Sequence, residues 1–491
     1  MNTPSVLARH ANQALREGRI DDGIVAYRTL LAVEPTIATH WFNLGYLLRC
    51  ARLFEEAAAA YATALELGIN RPEEVHLNRA VILADFLDRG DEAEATLRRA
   101  IAIAPRFIAA RLNLGNLLED RGDAAAAYAT YADVLAIEPM NGRALARTAA
   151  IDVFEGRAVQ VPARLRTALA TPRLPADAIA EIGFALGSAL DAEGAYGEAF
   201  AAYEAANRAA AAAAHPALRY DRVAHERLID RLIALPPSAA TMPSRPLSAH
   251  DAGRAPVFVC GMFRSGSTLV EQILSRHSRV VAGGELETVP ALTAALQPYP
   301  EILADASPAL IDSLRAHYLS EARALFPDAD VLTDQRPDNV LHIGLIKRLF
   351  PDARIVHTTR APLDTILSIF FLYFDDSISY GHRLGDIAHW LGQYRRLMAH
   401  WQAVYPGDIH EVAYDAVVRT PEPTIAALLA FCGLDWEDDV LTHGKGRGLV
   451  RTASVWQVRQ PLHQRSSGRW RNYAEQLAAF RTELGEFGRD L

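Results

Sequence analysis

The sequence predicts an α plus α/β protein: helical repeats over residues 1–210, a linker helix and proline-rich connection over 211–254, and a parallel-sheet domain over 255–491. Three observations carry this expectation. Asn43, Asn78 and Asn113 recur at intervals of 35 residues, each inside an apolar, alanine-rich helical pattern. In the second half, short apolar runs alternate with helical ones, the grammar of a parallel sheet with helices on both faces. At the start of that half, Val257-Phe258-Val259-Cys260 runs into a glycine loop, Gly261-Met262-Phe263-Arg264-Ser265-Gly266, and then into Ser267-Thr268-Leu269.

The repeats are marked by Phe42-Asn43-Leu44-Gly45, Leu77-Asn78-Arg79-Ala80 and Leu112-Asn113-Leu114-Gly115. Turn signals recur at Gly18, Gly90, Gly122, Gly156 and Gly194, with Ala51 filling the gap, and Glu34-Pro35, Ala104-Pro105 and Glu138-Pro139 close units. This resembles the tetratricopeptide repeat, a helix pair of about 34 residues with a small residue at the tight crossing. The match is good for residues 36–139, weaker for 2–35 and degenerate for 140–205, about four to six repeats in all. One such pair cannot bury its apolar face alone, so pairs stack, and the concave face commonly takes a peptide or protein partner. A spacer or dimerisation arm is the plainer alternative.

The 491 residues are 50% hydrophobic and 22% charged, with a formal charge of −9. Neither half carries a basic surplus, which argues against nucleic acid as a partner. Lys347 and Lys445 are the only lysines, so arginine supplies nearly all positive charge. The three cysteines, Cys50, Cys260 and Cys432, are far apart and fit neither a metal site nor a disulfide framework, as in a reducing compartment. No apolar run reaches a membrane span, and the N-terminal stretch lacks the core of a signal peptide. The expectation is a cytoplasmic protein without a transmembrane segment.

Residues 211–235, the Ala210–Ala214 run and then Tyr220 to Leu235, read as a connecting helix, and Pro236, Pro237, Pro243, Pro246 and Pro256 as an extended connection. Strands are predicted at Val257–Cys260, Val331–Thr333, Arg354–Thr358 and Ile409–Ala413. Helices are predicted at Val270–Ser275, Val340–Phe350, Pro362–Phe371 and Thr424–Cys432. The glycine loop then falls at the carboxyl end of the first strand, where such sheets bind ligands.

That loop matches the phosphate-cradling pattern G-x-x-x-x-G-K-[ST] with Ser267 in the lysine position. Loop amides and a helix N-terminus still hold an anion, and Arg264 offers a cationic arm. A nucleotide triphosphate with magnesium is a poorer fit without the lysine, so a P-loop kinase is a lesser reading. A second anion site is suggested where the run Arg354–Thr358 leads to Arg360, with Pro362 opening a helix and Ser368 two turns on, near the same face as Arg360. His357, inside the apolar run, reads as a packed core histidine, and Phe370-Phe371-Leu372-Tyr373-Phe374 as core, with lining of an acceptor pocket as the alternative.

Together, Arg264-Ser265-Gly266-Ser267-Thr268 and Arg360-Ala361-Pro362-Leu363-Asp364-Thr365-Ile366-Leu367-Ser368 resemble the sulfotransferases that use 3′-phosphoadenosine 5′-phosphosulfate. Gln464-Arg465-Ser466-Ser467-Gly468-Arg469-Trp470-Arg471-Asn472-Tyr473 is similar to their late loop over the 3′-phosphate, and Tyr414-Asp415-Ala416-Val417-Val418 to their Y-E-D-L segment. With the repeats, the chain resembles bacterial tetratricopeptide-repeat sulfotransferases with a catalytic domain near tyrosylprotein sulfotransferase. The resemblance implies that the phosphosulfate donor is a co-substrate held by Arg264, Ser265, Gly266, Ser267 and Thr268 at one end. At the other end it implies Arg360, Ser368, Tyr414, Arg465, Ser466 and Trp470. It implies no metal, and an acceptor hydroxyl or amine on a protein, sugar or small molecule.

The same resemblance implies Glu285, in Gly283-Gly284-Glu285-Leu286-Glu287, as the base that takes the acceptor proton, with Glu287 the nearby alternative. The family's D-K-x-P-x-N segment here reads Asp334-Gln335-Arg336-Pro337-Asp338-Asn339, so Gln335 replaces the lysine that donates to the leaving oxygen. Either Arg336 supplies that charge, Arg264 carries it alone at reduced activity, or the domain is an inactive scaffold acting through its repeats.

Overall fold

The computed structural model describes residues 4–236, 255–374, 376–442 and 466–483. Most of the proline-rich connection therefore lies outside the described residues. The chain divides into two compact units, with the break between Glu155 and Gly156.

The first unit is built from antiparallel helix pairs: Pro4–Arg16 with Ile20–Leu31, Ala38–Cys50 with Phe54–Glu66, Pro72–Asp85 with Gly90–Ile103, and Ile108–Asp120 with Ala124–Ile137. Gly142–Phe154 follows. Each pair buries alanines and a few large side chains, among them Tyr27, Leu30, Leu47 and Tyr61, in a shared apolar layer. The small residue at the crossing is a steric requirement. A Cβ on Gly45 would come within 2.9 Å of the Tyr61 ring, and Gly115 faces Tyr131 in the same way, sixteen residues on in both cases. Gly18 and Gly122 turn the chain at φ +67° and +81°, which glycine adopts without strain. Gly90 does not play this part: it opens its helix, and Asp88 takes the left-handed turn, as Arg52 does one repeat earlier.

The second unit opens on Val161–Leu169 and a further helix pair, Ala176–Ala192 and Tyr196–Ala213, followed by the connecting helix Arg222–Ala234. The crossing signature persists in that pair, where a Cβ on Gly187 would meet the Tyr203 ring at 2.7 Å. The repeat grammar thus continues into the unit that carries the sheet.

Among the described residues, five parallel strands form the sheet: β1 (Val257–Gly261), β2 (Val280–Ala282), β3 (Val331–Gln335), β4 (Ile355–Thr359) and β5 (Ile409–Ala413), in the order β2-β3-β1-β4-β5. β2 is absent from the sequence expectation because three residues show no periodicity. The helix after the glycine loop begins at Ser267 rather than Val270, and the stretch expected as one helix from Val340 is a tight 3-10 turn, Pro337–His342, followed by Ile343–Leu349. Thr288–Ala295, Pro308–Leu325 and Leu384–Val404 are further helices that the sequence expectation lacks.

One sheet face packs Val257, Val259, Val356 and Val412 beneath Val270, Ile273, Ile425 and Leu428. The other sets Phe258 against Tyr318 and Phe350. His357 lies on that second side, buried, its Nε2 sharing a hydrogen bond with the Tyr394 hydroxyl, and burial pushes its pKa down to about 4. Phe370 and Phe371 pack against Phe200 and Tyr203 of the preceding helix pair, as core. The strand order reverses at β1, leaving a crevice beyond its carboxyl end, between the ends of β3 and β4.

Candidate functional site

All five residues of β1 are buried, so the chain leaves the sheet only at Gly261. Arg264 then takes φ +69°, a conformation uncommon outside glycine, and Gly266 takes φ +103° to start the helix Ser267–Leu274. A Cβ at Gly266 would sit 2.9 Å from Tyr414, and Ser265 Oγ lies 2.7 Å from Thr358 Oγ1. No side chain caps this helix, so its first-turn amides face the crevice as potential anion donors.

Around this loop the structure gathers the basic residues of both motifs. The Arg264 side chain turns toward the second motif, its Nε donating to Ser368 Oγ at 3.1 Å. Arg360 donates from Nη1 to the Arg264 carbonyl at 3.3 Å and from Nη2 to the Ser466 carbonyl, and its guanidinium lies 5.0 Å from the centroid of the Tyr414 ring. Arg360 Nε is buried and has no hydrogen-bond partner among the described residues. Burial first, then the charges of Arg360 and Arg469, press the Arg264 pKa down to about 10, and burial lowers that of Arg360. Cations crowded in this way, one with an orphaned donor, are complementary to a phosphate.

The late segment is fastened from below. Asp364, in the first turn of the helix Pro362–Phe370, accepts the Gly468 amide at 2.6 Å and the Trp470 amide at 2.8 Å. Trp470 is thus held through its backbone, while its ring lies under the guanidinium groups of Arg471 and Arg481. Arg465 lies outside the described residues. Beside the loop, a cavity of about 340 Å³ opens between Met262, His357, Arg360, Leu391, Tyr394 and Met398.

Glu285 stands on the far side of the crevice, on the turn that follows β2. Its side chain is exposed and makes no hydrogen bond or ion pair among the described residues. Protein packed around the carboxyl, which desolvates it, raises its pKa; Arg336 opposes this and Asp338 adds to it. Arg336 itself is engaged, with Nη1 donating to Glu287 at 2.6 Å and Nε to Asp338 at 2.8 Å. Burial alone would lower its pKa, but these carboxylates more than offset that. Gln335 does not face open space either: its Nε2 donates to Ser267 Oγ at 2.9 Å.

Two buried acids complete the site and escaped the sequence reading. Glu271 accepts the Gly284 amide at 3.0 Å and the Thr333 hydroxyl at 2.6 Å, which ties the turn before Glu285 to the helix of the anion loop. Asp334 accepts the Tyr318 hydroxyl at 2.7 Å and the Asn339 amide at 3.1 Å. Burial pushes both carboxyls up to about 7. The signal for Glu271 was present, a lone acid in the apolar helix Leu269-Val270-Glu271-Gln272-Ile273-Leu274, but its partners lie far along the chain.

Helical repeats joined to a parallel sheet, with a glycine loop and two arginines gathered beyond the end of β1, define a repeat-bearing protein with a P-loop-like domain. Residues 256–438 match the sulfotransferase family. An uncharacterised protein of Aquifex aeolicus is 31% identical over 406 residues, 79% of this chain and 52% of that protein. Protein-tyrosine sulfotransferase 2 of Gallus gallus is 24% identical over 245 residues, 44% of this chain and 62% of that enzyme. The chain therefore spans between about half and two thirds of the relatives it matches. Among solved structures, the sulfotransferase domain from the curacin biosynthetic pathway aligns with 46% of this chain and 98% of its own, at 19% identity and a TM-score of 0.31. Residues 256–438 thus carry the sulfotransferase-family match, and tetratricopeptide-like helix pairs precede them in the chain.

Proposed function

We propose that the chain transfers a sulfuryl group from 3′-phosphoadenosine 5′-phosphosulfate to an acceptor hydroxyl or amine. The reading rests on one observation above others: Arg264 and Arg360 converge with Ser368, and among the described residues a buried Arg360 donor has no partner. In this reading the 3′-phosphate lies on Arg360, Ser368 and the Ser466–Trp470 turn, beside Tyr414. The 5′-phosphosulfate lies over the amides of Ser265, Gly266, Ser267 and Thr268, and Arg264 sits between the two ends.

The chemistry follows from those placements. The acceptor oxygen or nitrogen forms a bond to sulfur as the bond from sulfur to the bridging oxygen breaks, and adenosine 3′,5′-bisphosphate leaves. Glu285 takes the acceptor proton, a step worth about 10²–10⁴-fold when the base is well placed. Its raised pKa brings its basicity closer to that of a phenolic acceptor, whose ordinary pKa is about 10. Arg336, held by Glu287 and Asp338, tunes that carboxylate, and any direct cationic help to the leaving oxygen requires it to exchange partners.

A protein tyrosine is one acceptor of this hydroxyl-or-amine class. The repeats of the first unit offer a cavity of about 440 Å³ between Arg28, Trp41, Glu56 and Thr63 that suits a peptide segment or protein partner. Titration calorimetry with adenosine 3′,5′-bisphosphate tests the donor assignment: Arg264→Ala and Arg360→Ala each lose affinity, and unchanged binding in both removes it. A second reading, a repeat scaffold on a catalytically weak domain, draws on the neutral Gln335. Transfer of sulfur-35 from labelled donor into a cell extract separates the two, since a scaffold labels nothing.

A further inference from the structure

We propose that Asp191, on the first helix of the last repeat pair, is a positioning residue of the donor site, so that the repeats supply part of the machinery that holds the nucleotide. The inference rests on the donor reading above and adds to it a residue from the repeat half of the sequence. Asp191 lies one residue from the end of the helix Ala176–Ala192. An acid there opposes the helix dipole, so its presence does nothing for the helix itself. Its carboxylate is spent instead on the late segment. Oδ2 pairs with Arg469 Nη2 at 2.6 Å, and Oδ1 accepts the Tyr473 hydroxyl.

Arg469 and Tyr473 bound the short helical turn that follows Gly468. A few residues earlier, the Ser466 carbonyl accepts Arg360 Nη2. The path from Asp191 to the 3′-phosphate arginine is therefore one ion pair, one turn of chain and one hydrogen bond. Tyr473 is fully buried, and the Arg469 guanidinium lies over Phe371, which stacks on Tyr203 at 4.0 Å, so the path is packed along its length.

The same helix pair grips the other half of the site. Asn207, buried on the helix Tyr196–Ala213, donates from Nδ2 to the Phe370 carbonyl at 2.8 Å. Phe370 ends the helix Pro362–Phe370 that carries Ser368 and Asp364. Ser368 and Arg360, the two predicted ligands of one phosphate, are thus each referred back to this single repeat. Asp191 acts only through Arg469, Tyr473 and the turn between them.

The test uses the full chain. Asp191→Asn keeps the shape but weakens the ion pair, and is expected to raise the donor KM and the dissociation constant for adenosine 3′,5′-bisphosphate about tenfold, with kcat and acceptor KM within about twofold. Asp191→Glu restores most of the affinity. Tyr473→Phe, which removes one hydrogen bond and keeps the ring, gives a smaller loss in the same direction and serves if Asp191→Asn fails to fold. A donor KM unchanged in both variants, or donor and acceptor KM rising together, overturns the proposal. Arg360→Ala measured alongside separates the two levels. If it alone loses affinity, the donor reading stands and Asp191 has no part in it; if no variant loses affinity, the donor reading itself fails.

Discussion

Gln335 donates from Nε2 to the hydroxyl of Ser267 across 2.9 Å, and both side chains are buried. Each stands at a lysine position of a motif: Ser267 in the phosphate-cradling loop, Gln335 in the segment that begins at Asp334. Two positions that commonly hold cations meet here as a neutral pair. Register explains the meeting, because Val259 of β1 lies beside Gln335 of β3 and the loop folds back over that strand end.

Restoring the charge is the direct experiment. Gln335→Lys places an ammonium beside Ser267, close to where the bridging oxygen leaves in the proposed reaction. A cation aimed at that oxygen is commonly worth about 2.7–4 kcal/mol, or 10²–10³-fold. Single-turnover transfer is expected to quicken at least tenfold with acceptor KM unchanged. An equal or slower rate would mean that another residue already fills the role.

Glu285→Gln removes the base and keeps the shape. Turnover should fall at least tenfold while adenosine 3′,5′-bisphosphate binds as before, measured by initial rates and calorimetry on the same preparation. Glu287→Gln should be milder, since Glu287 is tied to Arg336 at 2.6 Å. If the two variants lose activity equally, the proton goes elsewhere.

The pH profile gives the sign of the Glu285 environment. Its pKa is raised, chiefly by desolvation, and the ionised form is the active one, so kcat/KM should climb with pH along a limb placed above the ordinary carboxylate range. Arg336 lowers that pKa and Asp338 raises it. Arg336→Gln should therefore move the limb to higher pH and Asp338→Asn to lower pH. Limbs that stay together in both variants would detach Glu285 from the profile.

The readable parts of this site share a trait: their geometry is local. The loop from Gly261 to Thr268 declares itself because a tight turn needs glycine and a helix start follows at once, and Arg360 and Ser368 because one stands just before the helix Pro362–Phe370 and the other on it, eight residues on. What stayed hidden depends on tertiary pairing. Nothing in sequence spacing turns the Arg264 side chain toward Ser368, joins Glu271 to Gly284, or brings Asp191 to Arg469. β2 escaped because Val280–Ala282 is too short to carry a period, although it sets the turn on which Glu285 stands. Asp334 stands in a readable motif, but its pairing with Tyr318 is tertiary and leaves no trace in the spacing.

Glu271 supplies a stability test independent of turnover. Its carboxyl titrates near 4.5 when exposed and is pushed up to about 7 by burial in the fold. The folded state therefore binds more protons than the unfolded one between those values, and stability falls as pH rises through that window. Glu271→Gln removes this titration, while its carbonyl can still accept the Gly284 amide and the Thr333 hydroxyl, which both bond to one oxygen, Oε1. Thermal midpoints of the variant should decline less than those of the parent chain between pH 4.5 and 7, and the variant's relative stability should be greatest at the alkaline end. Parallel curves would mean that Glu271 stays ionised throughout, its two hydrogen bonds outweighing the desolvation.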